Sequence, residues 1–184
     1  MRAFVAVELP AETHRSLVAG LAEARRTLPS ARWVRPEGIH ITLKFLGEQP
    51  DALVRDLGAR AAESLARLAP VEVRFGGGGF FPSPRRPRVA WLGGEAVGLE
   101  RWAAAVEDCA AAAGIAREVR PFSLHVTLAR IERPWRPEEA ESFLSRVAGW
   151  RLPPFLAREA VLFSSVLGPG GARYTPVVRV PVAG

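Results

Sequence analysis

Cysteine, lysine and histidine are all scarce in this chain, and each scarcity narrows what it can do. The lone Cys109 excludes an internal disulfide framework. With only His14, His40 and His125 beside it, no familiar zinc cluster can be assembled, so neither a metal nor a cofactor is expected. No charge-free apolar run reaches the length of about 18 residues needed to cross a bilayer. The apolar opening stretch is interrupted by Glu8 and Pro10, too early for the hydrophobic region of a signal peptide. These absences lead us to expect a cytoplasmic chain with no membrane partner.

What is present suits one globular unit. A chain of 184 residues, 48% hydrophobic and 24% charged, can bury a sizeable core without dividing into modules. Its basic residues are 24 arginines and the single Lys44, giving a net charge of +6. That balance favours a polyanionic partner, while an Ala/Arg/Gly/Pro-rich composition also arises from biased coding with arginines on solvated faces. Charge alone does not choose between the two.

Internal similarity is more specific. Arg35-Pro36-Glu37-Gly38-Ile39-His40-Ile41-Thr42-Leu43 is matched by Arg120-Pro121-Phe122-Ser123-Leu124-His125-Val126-Thr127-Leu128 at a constant offset of 85. The same offset sets Phe4–Val7 against Val89–Leu92, both compact apolar runs that read as buried strands. Helical periodicity follows each run, through Leu17, Leu21, Ala24 and Leu28 and through Leu99, Trp102, Val106, Ala110 and Ala113. A second helix follows each motif, through Leu53, Leu57, Ala61, Leu65 and Leu68 and through Ala140, Phe143, Leu144 and Val147. Further strands are predicted at Val71–Phe75 and Leu156–Phe163, and Tyr174–Val180 pairs with the latter across the turn Gly168-Pro169-Gly170-Gly171. The expected fold is α+β: a single bilobal domain over 1–184, with similar lobes at about 1–84 and 85–184 related by a pseudo-twofold axis. Antiparallel-rich sheets with outer helices enclose a central cleft. The stretch Gly76–Arg88, rich in Gly and Pro, reads as an irregular linker.

Side chains alternate along a strand, so His40 and Thr42 share one face while Ile41 and Leu43 anchor the other, and His125 and Thr127 repeat the arrangement. One histidine on a strand is ordinarily a structural residue. Two His-x-Thr units in a duplicated frame read as a functional pair. A pseudo-twofold axis brings the imidazoles face to face, which suits in-line displacement at phosphorus: one ring takes a proton from water while the other protonates the leaving oxygen. The threonine hydroxyls and Arg130 can hold the non-bridging phosphate oxygens.

His40-Ile41-Thr42-Leu43-Lys44-Phe45-Leu46-Gly47, His125-Val126-Thr127-Leu128-Ala129-Arg130 and the opening Arg2–Pro10 resemble the two-histidine phosphoesterase superfamily, in particular its bacterial and archaeal RNA 2′,3′-cyclic phosphodiesterases, the 2′-5′ RNA ligase family. The resemblance extends over nearly the whole chain. It implies hydrolysis of a terminal 2′,3′-cyclic phosphate to a 2′-phosphomonoester, with His40 as proton donor, His125 as acceptor and RNA as partner. The near-equivalent motifs do not themselves assign donor and acceptor. Arg130 is carried over as a phosphate contact, although strict alternation sets it with Val126 and Leu128 on the anchoring face. A monomer is expected.

Two alternatives stand beside hydrolysis: a non-catalytic RNA-binding module using the same basic cleft, and the reverse reaction, 2′-5′ RNA ligation. Because imidazoles carry the proton transfer in this scheme, turnover of a 2′,3′-cyclic phosphate should survive a strong chelator. Loss of activity with EDTA and recovery on adding a divalent ion would exclude the two-histidine mechanism.

Overall fold

Apolar residues spaced three and four apart give four helices that each bury one stripe. The computed structural model describes residues 1–169 and 171–183. In chain order the elements are β1 (Arg2–Val7), α1 (Ala11–Thr27), β2 (Arg32–Trp33), a 3-10 turn (Pro36–Gly38), β3 (Ile41–Glu48), α2 (Asp51–Leu65), β4 (Val71–Ser83) and β5 (Arg86–Glu95). They continue with α3 (Leu99–Ala112), β6 (Val126–Arg130), α4 (Pro137–Ala148), β7 (Phe155–Ala157), β8 (Glu159–Gly168) and β9 (Gly171–Pro181). No helix among the described residues is long and apolar enough to cross a membrane.

The strands form two antiparallel sheets, one of four strands in the order β3-β1-β8-β9 and one of five in the order β2-β6-β5-β4-β7. At the offset of 85, β1 corresponds to β5, β3 to β6 and β4 to β8. Yet β4 lies in the sheet of β5 and β6, and β8 in the sheet of β1 and β3. Each half therefore lends its third strand to the other half's sheet, and the two lobes do not coincide with 1–84 and 85–184. Residue 84 falls instead at the tip of the β4–β5 hairpin.

Helices cross in the same way. On the four-stranded sheet, α3 packs against β3 and α2 against β9, while α4 packs on β4 of the other sheet. Near α4, Gly20 of α1 lies close to Trp150, and Arg146 pairs with Glu23 at 2.8 Å. One cluster of buried side chains, including Leu17, Leu43, Trp102, Leu128 and Phe143, runs beneath both sheets.

Two strand expectations need correction. The single strand Leu156–Phe163 is broken at Arg158: β7 joins β4, while β8 joins β1 in the other sheet. The expected linker Gly76–Arg88 is the distal part of the β4–β5 hairpin, with pairs at Gly78↔Leu92, Gly79↔Trp91 and Phe81↔Val89. The hairpin β8–β9 is paired as expected through Gly168↔Gly171; Gly170 of its turn lies outside the described residues.

Glycine at 78 and 79 serves packing rather than flexibility. A Cβ on Gly79 would sit 2.2 Å from the Trp91 ring, and one on Gly78 would sit 2.7 Å from the Trp91 carbonyl. The indole thus covers bare backbone. Gly79→Ala must displace Trp91, and overpacking of this kind costs typically 1–3 kcal/mol. We expect a loss of about 2 kcal/mol in urea unfolding with a changed tryptophan emission. Unaltered stability would show that Trp91 does not rest on Gly79.

Candidate active site

His40 and His125 each stand one residue before a strand, β3 and β6, where the chain leaves an irregular approach. His14 of α1 fixes the first approach, its Nε2 lying 2.9 Å from the Pro36 carbonyl of the 3-10 turn. It is a structural residue on the way to the site.

Sheet register decides which side chains accompany the histidines. Across β1–β3, Phe4 pairs with Phe45 and Ala6 with Thr42, whereas Val5 pairs with Lys44 and Val7 with Ile41. Cross-strand partners share a face. Thr42 and Phe45 therefore stand together with Phe4 and Ala6 on the side away from the helices, although simple alternation sets 42 and 45 on opposite faces. The extra residue is a β-bulge at Leu43–Lys44, which turns Lys44 inward and Phe45 outward.

The second motif repeats the device. Thr127 pairs with Trp91, Ala129 with Ala90 and Arg130 with Val89, so β6 carries one extra residue there. Ala129 is buried and Arg130 exposed. The bulge moves Arg130 off the anchoring face that alternation assigns it, and sets it with Thr127, Val89 and Trp91. Phe45 and Arg130, equivalent at the offset of 85, thus emerge at corresponding places on the two sheets.

Around His125, Phe81 stands edge-on to the ring at 5.1 Å between centroids and lies 5.3 Å from Trp91. Its neighbour Phe80 is a core residue, 4% exposed. The His125 Nδ1 lies 2.8 Å from the Ser123 carbonyl. A carbonyl only accepts, so Nδ1 holds the proton and Nε2 is the nitrogen left for chemistry.

His40 has a more apolar setting. A second small cluster, Phe4, Ala6, Val161 and Phe163, covers the helix-free face of the four-stranded sheet, with Tyr174 packed against it. The His40 ring lies 4.8 Å from Phe4 and 5.4 Å from Tyr174, the latter edge-on. This burial pushes His40 down to about 4. The Gly38 carbonyl, the counterpart of Ser123 in the repeat, opposes the shift, and the charge of His125 adds to it. The two imidazoles are therefore within electrostatic reach of one another.

A cavity of about 120 Å³ adjoins His40, lined by Phe4, Phe163, Tyr174 and Pro176 and also by Glu8 and Glu37. A larger space of about 430 Å³, lined by Glu23, Arg146 and Trp150 among others, contains no histidine or cysteine, so volume is a poor guide to chemistry here. Among the described residues no group of three or more His, Cys, Asp and Glu is placed to hold a metal. Sequence reasoning singled out both histidines and both threonines. It passed over Phe81 as a neighbour of His125 and Lys44 as a buried ion, the latter flagged only by being one lysine among 24 arginines.

Two antiparallel sheets, each carrying a strand that follows one histidine of the duplicated His-x-Thr motif, give the two-lobed architecture of a two-histidine phosphoesterase. The LigT-like phosphoesterase family matches residues 7–91 and 94–174, and the chain belongs to that family. It is 40% identical over 143 residues to the RNA 2′,3′-cyclic phosphodiesterase of Thermus thermophilus, covering 73% of this chain and 70% of that protein. Its identity to the Archaeoglobus fulgidus protein of the same name is 31% over 175 residues, covering 95% and 96% of the two chains. The chain spans 46% of a Geobacillus stearothermophilus relative so named, at 33% identity. Among solved structures, TT0787 of Thermus thermophilus superposes with a TM-score of 0.78 at 30% identity, over 98% of this chain and 97% of that one. E. coli LigT complexed with 3′-AMP gives 0.76 at 26% identity, also over 98% and 97%.

The depressed His40 carries a stability consequence. Between its unfolded value of 6.5 and its folded value of about 4, the unfolded chain binds the proton and the folded one does not. Stability from this group is complete above 6.5, falls as pH drops toward 4, and changes no further below. The total is about 3 kcal/mol. Urea unfolding at pH 7 and at pH 4.5 should show a drop larger by roughly 2–3 kcal/mol in wild type than in His40→Gln. Equal drops would mean that His40 titrates normally.

Proposed function

We propose that the chain hydrolyses RNA ends bearing a 2′,3′-cyclic phosphate to 2′-phosphomonoesters, by acid–base catalysis between His40 and His125 without a metal. The observation that carries this reading is the duplicated placement of the imidazoles, each beside the carbonyl two residues before it and each one residue ahead of a strand that presents a threonine. The names of the relatives support the substrate class, and a structural neighbour, E. coli LigT, solved in complex with 3′-AMP, supports a nucleotide ligand.

In the proposed step, His125 Nε2 takes a proton from water as its oxygen attacks phosphorus. The P–O3′ bond breaks in line, and His40 delivers a proton to the departing O3′. The product is a 2′-phosphomonoester with a free 3′-hydroxyl. Two proton exchanges with solvent then restore the starting state. Thr42 and Thr127 hold the non-bridging oxygens, and Arg130 adds charge from the β6 side.

Burial leaves His40 neutral in the empty cleft at neutral pH. The phosphodiester anion lying between the rings offsets that burial and raises His40, so the donor is charged on arrival of the substrate. Binding and protonation are thus one event. A 5′-hydroxyl attacking in place of water uses the same groups, breaks the same P–O3′ bond and forms the 2′-5′ linkage, but water at high concentration favours hydrolysis.

The decisive measurement is incubation with an oligonucleotide ending in a 2′,3′-cyclic phosphate, with the product phosphate located. Positioned proton transfer contributes about 10²–10⁴-fold, so His40→Ala and His125→Ala should each lose at least that order. The two losses should combine less than multiplicatively. RNA binding should persist in both. Full turnover by either folded variant rules out the acid–base pair, and wild type that binds RNA without turnover establishes the non-catalytic module instead.

A further inference from the structure

The only lysine of the chain takes no part in the chemistry above, yet it is one of two buried polar side chains among the described residues. Lys44 follows the β3 bulge, points to the helix side and is 2% exposed. Its three ammonium protons meet three acceptors: Glu107 Oε1 of α3 at 3.0 Å, the Ala116 carbonyl at 2.7 Å and Glu118 Oε1 at 3.4 Å. Glu107 Oε1 also accepts the Glu118 backbone N–H at 3.0 Å, so the four groups close on one another.

A buried ion pair is weak evidence for stability, since apolar residues of similar volume often serve as well or better. The position of this one has a consequence that an apolar pair would lack. Residues 113–125 run from the end of α3 to β6 without helix or strand, and they end on His125. Lys44 itself lies two residues beyond Thr42 and four beyond His40. The strands β3 and β6 belong to different sheets and share no ladder. The ammonium joins the strand that bears one motif to the segment that delivers the other.

We infer that Lys44 is a positioning residue, bracing β3 against the 116–118 segment and thereby setting the separation of the two imidazoles. The inference rests on the paired-histidine reading. In-line transfer needs both rings within reach of oxygens on one phosphorus, and a displacement of about 1 Å can cost about 10²-fold. Arginine, used at every other basic position, cannot substitute here: its planar fork spreads its donors, whereas these acceptors converge on a point.

The test compares Lys44→Met, the doubly apolar Lys44→Met/Glu107→Leu and Glu118→Ala in the whole chain. Each is assayed on an oligonucleotide ending in a 2′,3′-cyclic phosphate, with thermal melting measured alongside. Lys44→Met should lower both melting temperature and kcat. The double variant should regain the wild-type melting temperature while kcat stays tenfold or more below wild type and KM moves less than about threefold. Glu118→Ala removes an exposed acceptor and should melt normally with kcat reduced severalfold. Wild-type kcat in the double variant overturns the brace. Should neither Lys44 variant fold, wild-type kcat in Glu118→Ala overturns it. A wild-type chain inert on the cyclic phosphate removes the acid–base reading itself, and the brace with it.

Discussion

Hydrogen bonding of β4 into the sheet of β5 and β6, and of β8 into the sheet of β1 and β3, is the constraint on which the rest depends. A half cut from the chain would have its own third strand and lack the one it needs, leaving a ladder of unpaired backbone groups. Neither half can complete a sheet alone. The exchange also means that a small rotation of one sheet strains two chain crossings. The histidines, standing at the starts of β3 and β6, inherit the rigidity of both sheets although their approaches are irregular.

The two lobes are alike in backbone and unlike in solvent. On the four-stranded sheet, Phe4, Phe163 and Tyr174 close around His40 and withhold water from it. On the other, Phe81 meets the edge of His125 while that ring stays half exposed. Glu8 and Glu37 border the His40 side, whereas Arg130 stands on the His125 side. The apolar wall lowers the proton affinity of His40 through burial.

Much of this was legible in sequence because it is written in periodicities. The His-x-Thr repeat, the helix stripes through Leu17 and Phe143 and the β8–β9 hairpin all follow from spacing alone. The departures have physical causes that spacing does not carry. Gly76 to Gly79 have a loop's composition but lie in a strand, where Gly79 sits beneath the Trp91 indole and Gly78 against the Trp91 carbonyl, both supplied by β5. Leu156–Phe163 is apolar apart from Arg158-Glu159, and a charged pair within one apolar run does not mark Arg158 as the crossing between sheets. The bulges at Leu43 and Leu128 show only when partner strands are counted against each other. Lys44 reads as a surface cation until the bulge turns it inward.

Those bulges have a consequence for descent as well as for geometry. By rotating Phe45 and Arg130 out of the core, they leave the position after each motif exposed, so a duplicated ancestor could change one copy without repacking the interior of the other. An oily contact on one lip and a cation on the other is the outcome in this chain. Selection for a new nucleic-acid end could rewrite either residue while the fold beneath it stays untouched.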